Sequence, residues 1–319
     1  MKTLLNALVV VSVGAPHYAC AQYPTRPIRS IMTVAGGADI VARLVAQGLT
    51  EALGQPVVVE SQAGAGGAIG AETVARAAPD GHTIMLASAS TVVMNRFLSK
   101  SARLDPLRDF MPITKAFETV ALVVTSPSLP VDSVQELIEY ARRNPGKLSF
   151  GTSGVGTTHH LSGEAIRLLT GIDWVHVPYK GGPPVLTDLL SGQIQVGFSI
   201  LATAAPFVSS GKIKLLAVNG AKRFHVIPNV PTVSEQLPGY EAPSTWGGYF
   251  GPAGMPSAIV ARLHGEIVRT LNLPKVRAKA EDIGFVVSTS STPEELTETI
   301  RRDVAYTARI VKAVGIQPE

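Results

Sequence analysis

One unit recurs along this chain: a short apolar run, a loop rich in glycine and hydroxyl residues, then apolar residues at helical spacing. Ile28, Ile31 and Val34 form the first run, which ends at Gly36-Gly37-Ala38-Asp39; Val41, Leu44, Val45, Leu49 and Leu53 then recur on one helical face. Gly54 closes that helix, Pro56-Val57-Val58-Val59 is a short buried strand, and Gly64, Gly66, Gly67 and Gly70 make the next turn. Thr83 to Leu86 is a further strand, which delivers Ser88, Ser90 and Thr91 to a helix start. Val120 to Thr125 leaves this region, and Ser126-Pro127 and Leu129-Pro130 punctuate the chain as a crossover would. The same grammar then resumes. A helix capped around Asp132 and Ser133 closes at Asn144-Pro145-Gly146, and strands follow at Trp174 to Val177, Ile194 to Phe198 and Ile213 to Val218. Trp246 to Phe250 reads as a strand returning to the first region, and two amphipathic helices, around Ile259 to Leu271 and Leu296 to Val311, end the chain. This alternation predicts an α/β protein with parallel sheets covered by helices on both faces, with ligands held at the carboxyl ends of strands. Four loops follow strands, two in each half: Gly36 to Asp39, Ser88 to Thr91, Thr152 to His160, and Tyr179 to Gly182. That distribution predicts a cleft between two lobes.

The most informative loop is Gly151-Thr152-Ser153-Gly154-Val155-Gly156-Thr157-Thr158-His159-His160-Leu161. A strand pattern (Leu148, Phe150) enters it and a helical one (Leu161, Ile166, Leu168, Leu169) leaves it. Glycines and hydroxyls at a helix N-terminus expose backbone N–H groups where the helix dipole favours negative charge, which suits a small anion such as a carboxylate. A phosphate loop would need Lys after the last glycine, where Thr157 stands. A plain turn with a threonine N-cap fits these residues equally well.

Other classes of function fit less well. Charged residues make up 16% of the 319, the formal charge is +4, and no Lys/Arg run exceeds two, so a nucleic-acid-binding face is excluded. Ile69 interrupts the dinucleotide fingerprint that the Gly64 turn approaches. Val155 replaces the closing glycine of a nucleophile elbow after Thr152-Ser153-Gly154. Ser209-Ser210-Gly211-Lys212 matches Ser-x-x-Lys without companion motifs. His159 and His160 are adjacent and point about 100° apart on a helix, so they cannot chelate one metal. No paired carboxylates share a loop. The residues predict binding with no reaction, metal or cofactor.

Met1 to Ala21 reads as an export signal: Lys2, an apolar Leu4 to Val13, and Ala19-Cys20-Ala21 as the cleavage site. Lipid attachment at Cys20 is the weaker alternative, because His17-Tyr18-Ala19 matches lipoprotein signals poorly. Cleavage after Ala21 leaves a mature chain with no cysteine, in keeping with an exported protein that folds on its core.

Motifs in order along nearly the whole mature chain resemble the periplasmic substrate-binding receptors of tripartite tricarboxylate transporters, the Bug-type receptors. They are Leu53-Gly54-Gln55-Pro56-Val57-Val58-Val59-Glu60, Gly64-Ala65-Gly66-Gly67, Ala78-Pro79-Asp80-Gly81, Gly156-Thr157-Thr158-His159-His160-Leu161, Val175-His176-Val177-Pro178-Tyr179-Lys180-Gly181, Leu186-Thr187-Asp188-Leu189-Leu190 and Pro228-Asn229-Val230-Pro231-Thr232-Val233. The resemblance implies a two-lobed type II periplasmic-binding (Venus-flytrap) fold with a mostly parallel sheet in each lobe. Lobe 1 would comprise residues 22–125 and 245–319, and lobe 2 residues 126–244. It implies a monomer that closes on a small carboxylate (a di- or tricarboxylate, an aromatic or another organic acid) and delivers it to membrane permease subunits. Backbone amides, hydroxyls and waters from two strand-loop-helix pincers would hold the ligand. These map onto Ala35, Gly36, Gly37, Ala38 and Asp39, and onto Thr152, Ser153, Gly156, Thr157, Thr158 and His159. Ser88, Ser90, Thr91, Tyr179, Lys180, Gly181 and Ser199 complete the expected lining. A receptor that presents its ligand to a membrane sensor kinase, a secreted hydrolase and a degenerate receptor are the rivals.

Two departures matter. The family's first pincer usually reads Pro-Phe-x-Pro-Gly-Gly-x-x-Asp; Thr33-Val34-Ala35-Gly36-Gly37-Ala38-Asp39 lacks both prolines and one residue, so it should be less preorganised. Ser199 stands where the family often has Asp, which removes an ammonium partner and disfavours an α-amino acid relative to a simple carboxylate.

Overall fold

The computed structural model describes residues 23–34, 37–98 and 104–316. The export signal, Cys20, Ala35 and Gly36 lie outside the described residues. The strands are β1 (Ile28–Met32), β2 (Val57–Ser61), β3 (Thr83–Ser88), β4 (Phe110–Thr119), β5 (Ala121–Thr125), β6 (Leu148–Thr152), β7 (Trp174–Pro178), β8 (Val196–Ile200), β9 (Lys214–Val218), β10 (Trp246–Pro252) and β11 (Phe285–Val287). They form a six-stranded sheet, ordered β11-β4-β10-β3-β1-β2, and a five-stranded sheet, ordered β7-β6-β8-β5-β9.

Each sheet is mixed. β1 is parallel to β2 and β3, and β6 is parallel to β7 and β8, as βα alternation requires. The strands on the other side of each sheet are antiparallel: β10 with β3 and β4, β11 with β4, and β5 with β8 and β9. The sequence pattern does not reveal β4 or β11. β4 carries Pro112, which cannot donate to a ladder, and the register between β4 and β10 shifts where Pro112 faces Phe250. β11 has three residues, too few to show a period. The strand Ala121–Thr125, included in the expected first lobe, pairs wholly within the five-stranded sheet.

Period-two alternation places one set of apolar side chains on each face of a strand. In β3, Ile84 and Leu86 join the core under the helices Ala38–Leu53 and Ser257–Leu271, while Met85 and Ala87 join the opposite core with Leu296 and Ile300. In the second sheet, Phe150, Trp174, Val196 and Phe198 form one core with Leu161 and Ile166 of the helix Thr158–Thr170. The last helix, Pro293–Val314, serves both sheets: Leu296 and Ile300 pack with the first, Tyr306 and Ile310 with the second.

The helix Thr158–Thr170 approaches β6 so closely that a Cβ at Gly163 would lie 2.3 Å from a Phe150 ring carbon. Gly265, in an exposed helical position, would meet nothing within 4 Å. Gly→Ala in a helix normally gains roughly 0.5–1 kcal/mol, whereas overpacking costs roughly 1–3 kcal/mol. Gly265→Ala should therefore raise the unfolding midpoint in urea and Gly163→Ala should lower it; shifts of the same sign would contradict this packing.

Candidate functional site

Strand registers decide which loops face each other. At the start of β10, Gly247 lies opposite Ser88, the end of β3, and Trp246 lies opposite Glu118, next to the end of β4. Chains therefore enter and leave the six-stranded sheet at the edge where its parallel strands end. In the second sheet Ala121 starts β5 opposite Ile200, the end of β8. Both sets of carboxyl ends therefore lie beside the crossings. The crossings are fastened to each other: Thr119 donates its N–H and hydroxyl to the Thr245 carbonyl at 3.0 and 3.3 Å, and the Thr245 hydroxyl donates to the Thr119 carbonyl at 2.8 Å.

On the first sheet three loops converge. The N–H and hydroxyl of Thr33 reach the Leu86 carbonyl at 3.0 and 3.2 Å. Ser88 and Thr91 share a hydroxyl hydrogen bond of 3.2 Å, and the Thr91 hydroxyl and Asn95 amide both donate to the Gly66 carbonyl at 3.1 Å. A Cβ at Gly67 (φ 89°) would come within 2.6 Å of Thr91 Oγ1 and 2.9 Å of the Thr33 carbonyl oxygen. The Gly64–Gly67 loop, which fails as a dinucleotide fingerprint, is thus part of this cluster. The consecutive glycines before a helix were its signal in the sequence. Ser90 begins a short π-helical turn, Ser90–Met94, in which Thr91 is buried. Gly37 and Ala38 open the helix Ala38–Leu53 with no side-chain cap. The Asp39 carboxylate bonds Arg43 one turn along at 2.8 Å, so it is committed to its own helix.

On the second sheet, the Thr157 hydroxyl caps the helix Thr158–Thr170, accepting from His160 N–H at 3.3 Å. The first-turn amides of Thr158 and His159 have no intrahelical partner, the arrangement by which a helix N-terminus can hold an anion. Two other amides are already engaged. Gly156 N–H donates to His160 Nδ1 at 3.0 Å, and Thr157 N–H reaches the Gly154 carbonyl at 3.4 Å. The N–H of Gly156 is therefore engaged within the loop. The Thr152 hydroxyl binds His176 Nε2 at 2.7 Å, and Ser153 Oγ lies 3.2 Å from His159 Nδ1. The β7 loop closes over this one: Tyr179 N–H donates to the Thr152 carbonyl at 3.0 Å and Gly181 N–H to the Ser153 carbonyl at 3.3 Å. The Tyr179 hydroxyl donates to Asp188 at 2.6 Å, and burial with that carboxylate raises its pKa to about 12. Lys180 is exposed at the rim, and Ser199 is buried with its hydroxyl 3.0 Å from that of Thr203.

Three imidazoles lie beneath this loop, His159 and His160 buried and His176 half-buried. His160 and His176 stack with centroids 3.9 Å apart and planes 12° apart, and His176 stacks in turn on Phe150 at 4.9 Å. Burial lowers the pKa of His159 and His160 to about 4 and of His176 to about 3; Arg167 adds to the effect at His160, and His160 at His176. All three are neutral at pH 7. Among the described residues no group of His, Cys, Asp and Glu is placed to hold a metal ion.

Because these imidazoles take up protons near pH 6.5 once unfolded but only near pH 3 to 4 when folded, the unfolded chain binds more protons across that interval. Their contribution to stability is whole above about pH 6.5 and declines as the pH falls toward 4. Melting midpoints from pH 7 to 4.5 should fall less steeply for His176→Asn than for the wild type. Parallel curves would show that His176 does not carry this dependence.

These features define a class: a two-sheet α/β protein whose strand-end loops, rich in glycine and hydroxyl residues, lie beside the crossings between the sheets. Residues 41–316 match the family described as the tripartite tricarboxylate transporter family receptor. The protein belongs to that family of periplasmic solute-binding receptors, which is not an enzyme family. It is 33% identical to R. palustris Rpa4515, solved with adipate, with a TM-score of 0.80 and coverage of 93% of this chain and 100% of that one. The periplasmic binding protein BugD is 32% identical, with a TM-score of 0.77 and coverage of 93% and 100%. MatC from Rhodopseudomonas palustris, solved with bound malate, is 30% identical, with a TM-score of 0.76 and coverage of 91% and 100%.

Proposed function

We propose that this protein is an exported receptor that closes on a small carboxylate, with a dicarboxylate as the leading candidate, and passes it to membrane permease subunits of a tripartite tricarboxylate-type transporter. The observation that carries this reading is the helix Thr158–Thr170, whose first-turn amides are open just beyond the carboxyl end of β6, while Thr33, Ser88 and Thr91 gather at the carboxyl ends of the first sheet's parallel strands. A dicarboxylate offers one oxyanion group to each side. Adipate in Rpa4515 and malate in MatC are ligands of that kind. The second-sheet loops, residues 152–158 and 179–182, bring one cation, the exposed Lys180. Amide N–H groups and bridging water would therefore carry the negative charge.

The two sheets are the natural lobes, and the reading places closure at the Thr119–Thr245 crossing. We draw the boundary of the first lobe at about Val120 instead of residue 125, a reading supported by the pairing of Ala121–Thr125 with β8. The export signal Met1 to Ala21 would direct the protein to the periplasm as a monomer.

A melting screen against di-, tri- and monocarboxylates and aromatic acids tests the ligand class. A ligand at 100 times its dissociation constant should stabilise the native state by about 2.7 kcal/mol. The absence of a shift from every acid would overturn the reading. For the site, Thr158→Pro is the cleaner substitution. Proline is favoured at the first helical position, and Thr157 before it is already extended (φ −73°, ψ 162°). Thr158→Pro should therefore leave the ligand-free protein folded while deleting one cradle amide. We expect at least a tenfold loss of affinity, about 1.4 kcal/mol, with Thr158→Ala losing less. Equal losses in calorimetric titration would assign the contact to the hydroxyl.

A further inference from the structure

The anion loop is not held by its own turn chemistry alone. A pile of three rings rises from the core to its underside: Phe150 is fully buried, His176 stacks on it, and His160 stacks on His176. The top ring turns its Nδ1 to the backbone and accepts the Gly156 N–H at 3.0 Å. That contact requires an unprotonated Nδ1, so a neutral His160 carries its proton on Nε2, which lies 3.8 Å from Glu164 Oε1. Glu164 is in turn bonded by Arg167 at 2.7 Å. The middle ring holds the other end of the loop through the Thr152 hydroxyl, which also reaches the Gly154 carbonyl at 3.2 Å. Gly154 and Gly156 have φ of 137° and 72°. Gly154 is bonded within the loop, its N–H to the Thr152 hydroxyl at 3.3 Å and its carbonyl to the Thr157 hydroxyl at 2.9 Å, whereas the Gly156 N–H goes to His160.

We propose that His160 is a positioning residue of the carboxylate site: by accepting the Gly156 amide it fixes the loop in the shape that leaves the Thr158 and His159 amides directed outward. This rests on the carboxylate-receptor reading above and adds to it the group that sets the cradle's geometry. A flexible glycine loop would otherwise sample many conformations, and ligand binding would have to order it. With Gly156 tied to a ring rooted in the core, that ordering is complete before the ligand arrives.

Two variants separate the acceptor from the ring. His160→Phe keeps an aromatic ring on His176 but offers no acceptor; His160→Asn loses the stack but places an amide oxygen near the Nδ1 position. The readouts are hydrogen exchange at the Gly156 amide in ligand-free protein, with the buried Phe198 amide as the control for global opening, and adipate affinity by calorimetry. We expect His160→Phe to exchange at Gly156 at least tenfold faster than wild type with Phe198 unchanged, and to bind adipate at least tenfold more weakly. His160→Asn should recover most of both. The proposal is overturned if His160→Phe keeps Gly156 protected, if its affinity matches wild type, or if His160→Asn fares no better than His160→Phe. If neither adipate nor another acid binds the wild type, the proposed function falls, while the exchange contrast between the two variants still decides whether His160 fixes the loop.

Discussion

The stack of Phe150, His176 and His160 is the contact through which the second sheet's core reaches the site. Phe150 also meets the rings of Trp174 and Phe198, so β6, β7 and β8 are joined at one buried point. Gly163 is needed where the helix Thr158–Thr170 crosses it, because a side chain there would strike the ring. The position of that helix follows from this contact, and so does the place of its N-terminus. Desolvation keeps the two imidazoles neutral. Charges on both would repel each other across 3.9 Å in a poorly solvated site. The same burial that supports the loop thus keeps positive charge out of it and leaves anion recognition to amide dipoles.

The facing of the two halves has a different origin. It comes from the inserted antiparallel strands β10 and β5, each of which starts at the edge where a parallel strand ends. Without such strands, two βα sheets joined in series would have no fixed relation between their loop edges. The reciprocal bonds between Thr119 and Thr245 then hold the crossing segments side by side, so they can bend as a pair. The last helix adds a restraint: Asp303 accepts from Ser244 at 2.8 Å and from the Trp246 indole at 2.7 Å, just beside that crossing.

The α/β class, the helix caps at Ser133 and Thr157, and the strand-end placement of the loops are legible in the sequence because each has a local cause: periodicity, or a hydroxyl before an apolar run. What depends on distant partners is not. β4 hides behind Pro112, whose place at a register shift depends on Phe250. The Gly64–Gly67 loop looks like a failed nucleotide motif until Thr33 and Thr91 are seen against Gly67. Gly156 reads as a ligand-facing amide, yet a histidine four residues on takes its N–H. That engagement has a partial signature in Gly156 and His160, but the ring support beneath comes from His176 on another strand. Asp39 likewise reads as a site residue, and its carboxylate is bound by Arg43 on the same helix.

The two halves of the site are therefore unequal in how they are fixed. The second is braced by a ring stack, an N-cap and the overlying β7 loop. The first is tied at Thr33, Gly66 and the Ser88–Thr91 pair, while its pincer Thr33-Val34-Ala35-Gly36-Gly37-Ala38-Asp39 lacks the two prolines that would restrict φ there. Fixing one unrestrained residue costs roughly 1–2 kcal/mol of backbone entropy, which is comparable with the net gain from one hydrogen bond to an anion, roughly 1.5–3 kcal/mol. For a ligand that gains only one contact from the first half, the cost of fixing one residue that no proline restricts would offset most of that gain. A longer acid, reaching the Ser88–Thr91 cluster as well as the Thr158 amide, gains contacts on ground that is already fixed. Under the proposed carboxylate-receptor function, the proline-free pincer would favour ligands that bridge the two sheets over compact ones that depend on the pincer itself.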